Sequence, residues 1–144
     1  MTSVERTFTV DAAPNHVIEY LKDFGNAPEW DPGTQSCDRI DEGPIAVGSS
    51  WHNVSKILGK STDLTYTLDS LTDDTIVLVG KNDTATSTDT ITVRAAGAGS
   101  EITYHVDLDM HGIAKLAAPV MKIEFERLGV KTEAQMTERL NKLV

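Results

Sequence analysis

Strand-like alternation fills most of this chain, and the only long helical pattern comes after it, at the C-terminal end. That order is the strongest constraint on what the chain can fold into. A lone amphipathic helix needs one broad apolar surface to lie on, and a curved antiparallel sheet supplies one. Where the helix does not fill the concavity, the space left over is a pocket.

The alternation can be followed segment by segment. Val4, Arg6, Phe8 and Val10 alternate with Glu5, Thr7 and Thr9, the period of a strand. Asp11-Ala12-Ala13-Pro14 then opens a helix, with proline where its missing N–H costs nothing. Val17, Ile18, Leu21 and Phe24 give that helix its apolar face, and Gly25 ends it. Asn26 is placed to cap a short second helix through Glu29, and Asp31-Pro32-Gly33 closes it with turn chemistry.

Strands are then expected over Thr34–Asp41, Ser49–Leu58, Ser61–Leu71 and Thr75–Lys81. A hairpin turning at Gly59-Lys60 pairs Ile57 with Thr62, Ser55 with Leu64, Asn53 with Tyr66 and Trp51 with Leu68. Trp51, Asn53, Ser55, Ile57, Leu64, Tyr66 and Leu68 then share one face, which holds most of the large apolar groups and should be concave. The inward set of Thr75–Lys81 is not decided by its pattern. After the turn at Asn82-Asp83, Ser87, Asp89, Ile91 and Val93 alternate with threonines, so Asp89 faces inward if Ile91 and Val93 do. Gly97-Ala98-Gly99 turns into the last strand, where Ile102, Tyr104, Val106, Leu108 and Met110 form a clean apolar face. From Ile113 a helical stripe runs through Ala117, Met121, Phe125, Leu128, Thr132, Met136, Leu140 and Leu143, with regular helix beginning near Pro119. Gly129 in its middle permits either a close approach to the sheet or a bend.

The expected architecture is α+β, a single domain over residues 1–144, large enough to bury a core without disulfides or metal. A formal charge of −9 argues against a nucleic-acid groove and against docking on an anionic membrane. One cysteine, Cys37, excludes an intramolecular disulfide and reads as a small buried hydrophobe. No apolar run reaches membrane-spanning length and no leader pattern opens the chain, so a cytoplasmic protein is expected. No phosphate-binding glycine loop, serine-nucleophile elbow or zinc-ligand spacing is present, and neither cofactor nor metal is expected. His105 and His111 share a polar strand face with Asp107 and Asp109, which reads as solvated surface, as does His52 opposite Trp51.

Several motifs together resemble the START/Bet v 1-like (SRPBCC) helix-grip superfamily, and within it the polyketide cyclase/dehydrase-like group. They are Asp11-Ala12-Ala13-Pro14, Asn26-Ala27-Pro28-Glu29-Trp30-Asp31-Pro32-Gly33, Gly43-Pro44-Ile45-Ala46-Val47-Gly48, Leu58-Gly59-Lys60 with Leu64-Thr65-Tyr66, and Gly99-Ser100-Glu101-Ile102-Thr103-Tyr104. The resemblance implies a seven-stranded antiparallel sheet gripping the C-terminal helix around a hydrophobic cavity. Members bind lipids, sterols, polyketides or aromatic small molecules, and some are cyclases. It brings no universal catalytic motif to transfer, so function must be argued from the site.

The candidate ligand-binding residues are Trp30, Trp51, Asn53, Tyr66 and Tyr104, with Met121, Phe125 and Leu128 as the helical wall. Trp30 either gates a cavity or closes the core beside Phe24. Asn53 and Tyr104 either orient a ligand or satisfy a neighbour. Asp89 is the candidate general base: desolvation in an apolar cavity would raise its pKa, whereas a place on a hydrated rim would not. Three functions follow: a binder of a hydrophobic small molecule, a cyclase or dehydratase using Asp89, or an interaction module with a filled cavity.

Overall fold

The computed structural model describes residues 2–144. β1 (Thr2–Val10) leads into α1 (Pro14–Leu21), a turn of 3-10 helix at Phe24–Asn26, and α2 (Ala27–Trp30). β2 (Thr34–Arg39), β3 (Ser50–Ile57), β4 (Lys60–Leu71), β5 (Thr75–Lys81), β6 (Ala85–Ala96) and β7 (Gly99–Met110) follow as a meander. A 3-10 segment, Gly112–Ala117, then enters α3 (Ala118–Asn141). The seven strands form one antiparallel sheet in the order β1-β7-β6-β5-β4-β3-β2, so β1 and β2 are its edges. Register shifts near Thr34–Ser36 and Leu68–Ser70 interrupt the ladder, and such irregularities help the sheet curl. This is the helix-grip architecture expected from the sequence.

The inward face is the expected one. Trp51, Asn53 and Ser55 of β3 are buried, with Leu64, Tyr66 and Leu68 of β4. β5 turns Ile76 and Leu78 inward, which its pattern left undecided.

The β3–β4 register differs from expectation by one step of the ladder. Ile57 pairs with Lys60, Ser55 with Thr62, Asn53 with Leu64 and Trp51 with Tyr66. The turn is Leu58-Gly59, not Gly59-Lys60. Each partner moves by an even number of residues, so the faces survive while the pairs change. Both turn residues have positive φ, 53° and 79°, the requirement of a type I′ turn. Glu124 of α3 holds the turn by accepting the Leu58 N–H at 3.0 Å, and Arg127 braces that carboxylate. A leucine in the left-handed region is strained. Leu58→Asn, which restores a preferred type I′ pair, should therefore raise stability by roughly 1 kcal/mol in urea denaturation.

The C-terminal stripe holds from Ala117 onward, where Met121, Thr132, Met136 and Leu140 are buried. Ile113 does not join it: it is 87% exposed, and the neighbouring Leu116 and Ile123 are largely exposed too. The reason is the 3-10 geometry of Gly112–Ala117, whose three residues per turn rotate a stripe spaced for α-helix out of line. Gly129 serves close approach: a Cβ there would stand 3.0 Å from Val4 of β1. Arg6 of β1 donates to Glu133 at 2.9 Å, and the Asn141 side chain accepts the Asp11 N–H. These contacts draw α3 over the β1 edge and leave space between the helix and the middle of the sheet.

Asn26 precedes α2 but does not cap it. Its amide donates instead to the carbonyl of Tyr20, tying α2 back onto α1.

Candidate functional site

The space between the sheet and α3 is a cavity of about 370 Å³. One end is shut by aromatic packing. Phe24 stands 4.5 Å from Tyr66 and 6.1 Å from both Trp30 and Trp51, measured between ring centroids. Trp30 meets Tyr104 edge-on at 5.9 Å. Lining residues at the β3–β4 and β5–β6 turns, including Leu58, Lys60 and Thr84, are exposed and form the mouth.

α3 contributes Met121, Phe125, Leu128 and Thr132 to the wall. The sheet contributes Leu64 and Tyr66 from β4, Ser87 and Asp89 from β6, and Tyr104, Val106 and Leu108 from β7. Tyr66, Tyr104, Met121, Phe125, Leu128 and Asp89 thus meet in one cavity, although they come from four elements. Trp30, Trp51 and Asn53 lie behind that wall. Both tryptophans are fully buried, Trp51 also under the Arg39 guanidinium. The Asn53 amide is used within the protein: its oxygen accepts from Ser55 at 2.6 Å, and its nitrogen faces Thr34. Burial pushes the Cys37 thiol next to it up to about 12, so it stays a neutral thiol.

The polar centre is on β6 and β7. Asp89 is 3% exposed, which places it in the cavity and not on a hydrated rim. In the β6–β7 ladder Asp89 pairs with Val106 and Ile91 with Tyr104, so the tyrosine reaches diagonally to the carboxyl. The Tyr104 hydroxyl donates to Asp89 Oδ2 at 3.0 Å, and the Ser87 hydroxyl donates to Oδ1 at 3.3 Å. Burial, reinforced by the nearby charge of Asp31, pushes the Asp89 carboxyl up to about 7 despite those two bonds. Burial and the Asp89 charge hold both Tyr66 and Tyr104 well above the ordinary phenol value, so each keeps its proton.

Two polar groups that act on Asp89, Ser87 and Asp31, are absent from the set expected from sequence. Ser87 shares strand parity with Asp89, so a signal for it exists. Asp31 carries only turn chemistry in the sequence: its Oδ1 accepts the Gly33 N–H at 2.9 Å and its Oδ2 the Thr34 hydroxyl at 3.1 Å. No pattern shows that the same carboxylate also borders the cavity, where burial raises its pKa.

Tyr66 owes its position to a glycine. It pairs with Gly80 across the β4–β5 ladder, and a Cβ there would lie 2.5 Å from the phenol ring. Gly80→Ala should therefore drive the ring into the cavity and cost about 1–3 kcal/mol in chemical denaturation, the usual penalty of overpacking.

On the convex face, His105 stands beside Glu5 and Asp107, and His111 beside Asp109. None of these groups lines the cavity.

A family model described as polyketide cyclase/dehydrase and lipid transport matches residues 1–143. The chain belongs to that family. Solved structures agree on the fold. A START superfamily protein from Mycobacterium smegmatis superimposes with a TM-score of 0.82 at 14% identity, covering 100% of both chains. The Zhui aromatase/cyclase from Streptomyces sp. R1128 gives 0.82 at 16% identity, covering 97% of this chain and 93% of that one. A protein from Thermus thermophilus gives 0.80 at 12% identity over 96% of each chain. At such identities the likeness speaks for the fold alone. Among curated proteins, none matches the sequence significantly. Among the described residues, no helix of this family member is long and apolar enough to cross a membrane.

Proposed function

We propose that this protein binds a largely apolar small molecule between its sheet and α3, with one polar group of the ligand seated at Asp89 and Tyr104. The observation that carries the reading is the cavity itself. Its volume of about 370 Å³ falls within the range usual for ligand sites, its walls are mainly apolar, and Ser87, Asp89 and Tyr104 converge within it. Membership in a family described by cyclase, dehydrase and lipid-transport activities supports the same reading. A filled interaction module would require side chains where this space lies open.

Comparing native and denaturing mass spectra of the purified protein tests it. A small added mass that disappears on denaturation is the expected result. A protein that carries nothing and also fails to take up a neutral apolar fluorophore contradicts it.

A second reading is catalysis of a cyclisation or dehydration. What favours it is the Asp89 carboxyl, held at about 7 in contact with the Tyr104 hydroxyl. Such a group takes up and releases a proton near neutral pH, and a retained phenol beside it can donate to an enolate oxygen. Turnover of a poly-β-keto substrate by the wild-type protein, abolished in Asp89→Asn with binding retained, separates enzyme from carrier.

A further inference from the structure

Building on the ligand-binding reading, we infer that the molecule this cavity takes is an apolar amine, its ammonium seated against Asp89 with Asp31 adding to the attraction. The cavity lining is one-sided in its ionisable groups. Asp31, Asp89, Tyr66 and Tyr104 are acids, and the single basic lining residue among those described, Lys60, is exposed at the mouth. Elsewhere in the protein, the buried Glu124 is paired with Arg127 and the half-buried Glu133 with Arg6. Among the described residues, Asp89 is met only by hydroxyls, and Asp31 only by an N–H and a hydroxyl. A buried carboxylate without a counter-ion is costly, and a ligand ammonium would supply the missing charge.

The acceptor capacity is also there. Each Asp89 oxygen accepts one hydrogen bond, which leaves lone pairs for an N–H donor. A carboxylate or phosphate ligand would bring like charge to the same place. The overall charge of −9 adds long-range attraction for cations.

The groups facing Asp89 are Asp31 from the α2–β2 turn, Tyr66 from β4, Ser87 on β6 itself and Tyr104 from β7. The α3 side of the cavity brings Met121, Phe125, Leu128 and Thr132, none of which titrates. An ammonium therefore competes with a proton for Asp89, and amine affinity should rise with pH through about 7.

Calorimetric titration with naphthylethylamine, naphthylethanol and naphthylacetate tests this. The amine should bind at least about tenfold more tightly than the alcohol near pH 8, with the acid weakest. In the wild-type protein the amine's advantage over the alcohol should shrink severalfold near pH 5.5 as Asp89 takes up its proton. In Asp89→Asn the advantage should fall below about threefold while the alcohol still binds. An alcohol or acid that binds as well as the amine overturns the inference and leaves the ligand-binding reading standing. An undiminished preference in a folded Asp89→Asn overturns it as well. If the wild-type protein binds none of the three, the ligand-binding reading falls and this inference with it.

Discussion

Asp89→Asn should gain stability over the wild-type protein as the pH is raised. The folded-state pKa of Asp89 is raised to about 7 from an ordinary value of 3.8. Between those values the native protein holds a proton that the unfolded chain has released. Wild-type stability therefore falls across that window, as the native state gives up its preferred neutral form, and is flat in this contribution above about 7. An asparagine keeps the shape and an acceptor for Tyr104 but never acquires the charge. The difference between variant and wild type should grow by roughly 3–4 kcal/mol from about pH 4 to about pH 8, at about 1.4 kcal/mol per unit. Lowered carboxylates such as Asp107 and Glu124 act in the opposite direction but are common to both proteins, so the difference isolates Asp89 and its coupling to Asp31. Urea denaturation at several pH values reads the slope. A difference independent of pH would mean that Asp89 is hydrated and ordinary.

Filling the cavity should stabilise the protein and remove its binding together. Val106 on β7 and Thr132 on α3 both line the space, and the hydrogen bonds of the polar centre run between Ser87, Asp89 and Tyr104 without either of them. The double variant Val106→Phe/Thr132→Phe places two rings in existing volume. Added apolar burial without displaced neighbours should raise stability by about 1–2 kcal/mol. Apolar ligands should lose at least about tenfold in affinity, and with it the thermal stabilisation that bound ligand confers. Thermal melts with and without ligand read both effects. A core already filled would give the opposite stability result, because overpacking costs free energy.

The fold is legible in the sequence because period-two alternation states which residues face inward without needing to know which strand pairs with which. Hence Trp51, Asn53, Leu64 and Tyr66 fall on the correct face even from a hairpin register that is itself one step off. The turn is misplaced because local preference disfavours a leucine at positive φ, whereas the Glu124 carboxylate, distant in sequence, holds it there. Ile113 is misassigned because an apolar spacing cannot distinguish α-helix from the 3-10 turns that precede it.

The site is legible in part. Strand parity brings Asp89, Tyr66 and Tyr104 to the concave face, and helical spacing brings Met121, Phe125 and Leu128 opposite them. What parity cannot give is depth along the concavity. Trp30 and Trp51 point the right way but sit in the aromatic plug, and Asn53 is satisfied by Ser55. Asp31 escapes because turn residues have no period, and its approach to the cavity depends on how α2 closes the sheet.

Equilibrium titration of wild type and the Val106→Phe/Thr132→Phe variant with N-phenyl-naphthylamine, a neutral apolar fluorophore, decides whether the space between the sheet and α3 is a ligand site. Saturable one-to-one binding by the wild type with a dissociation constant on the order of micromolar, abolished in the filled variant, is the expected result. No saturable binding by the wild type, or equal binding by both proteins, would contradict a ligand site between the sheet and α3.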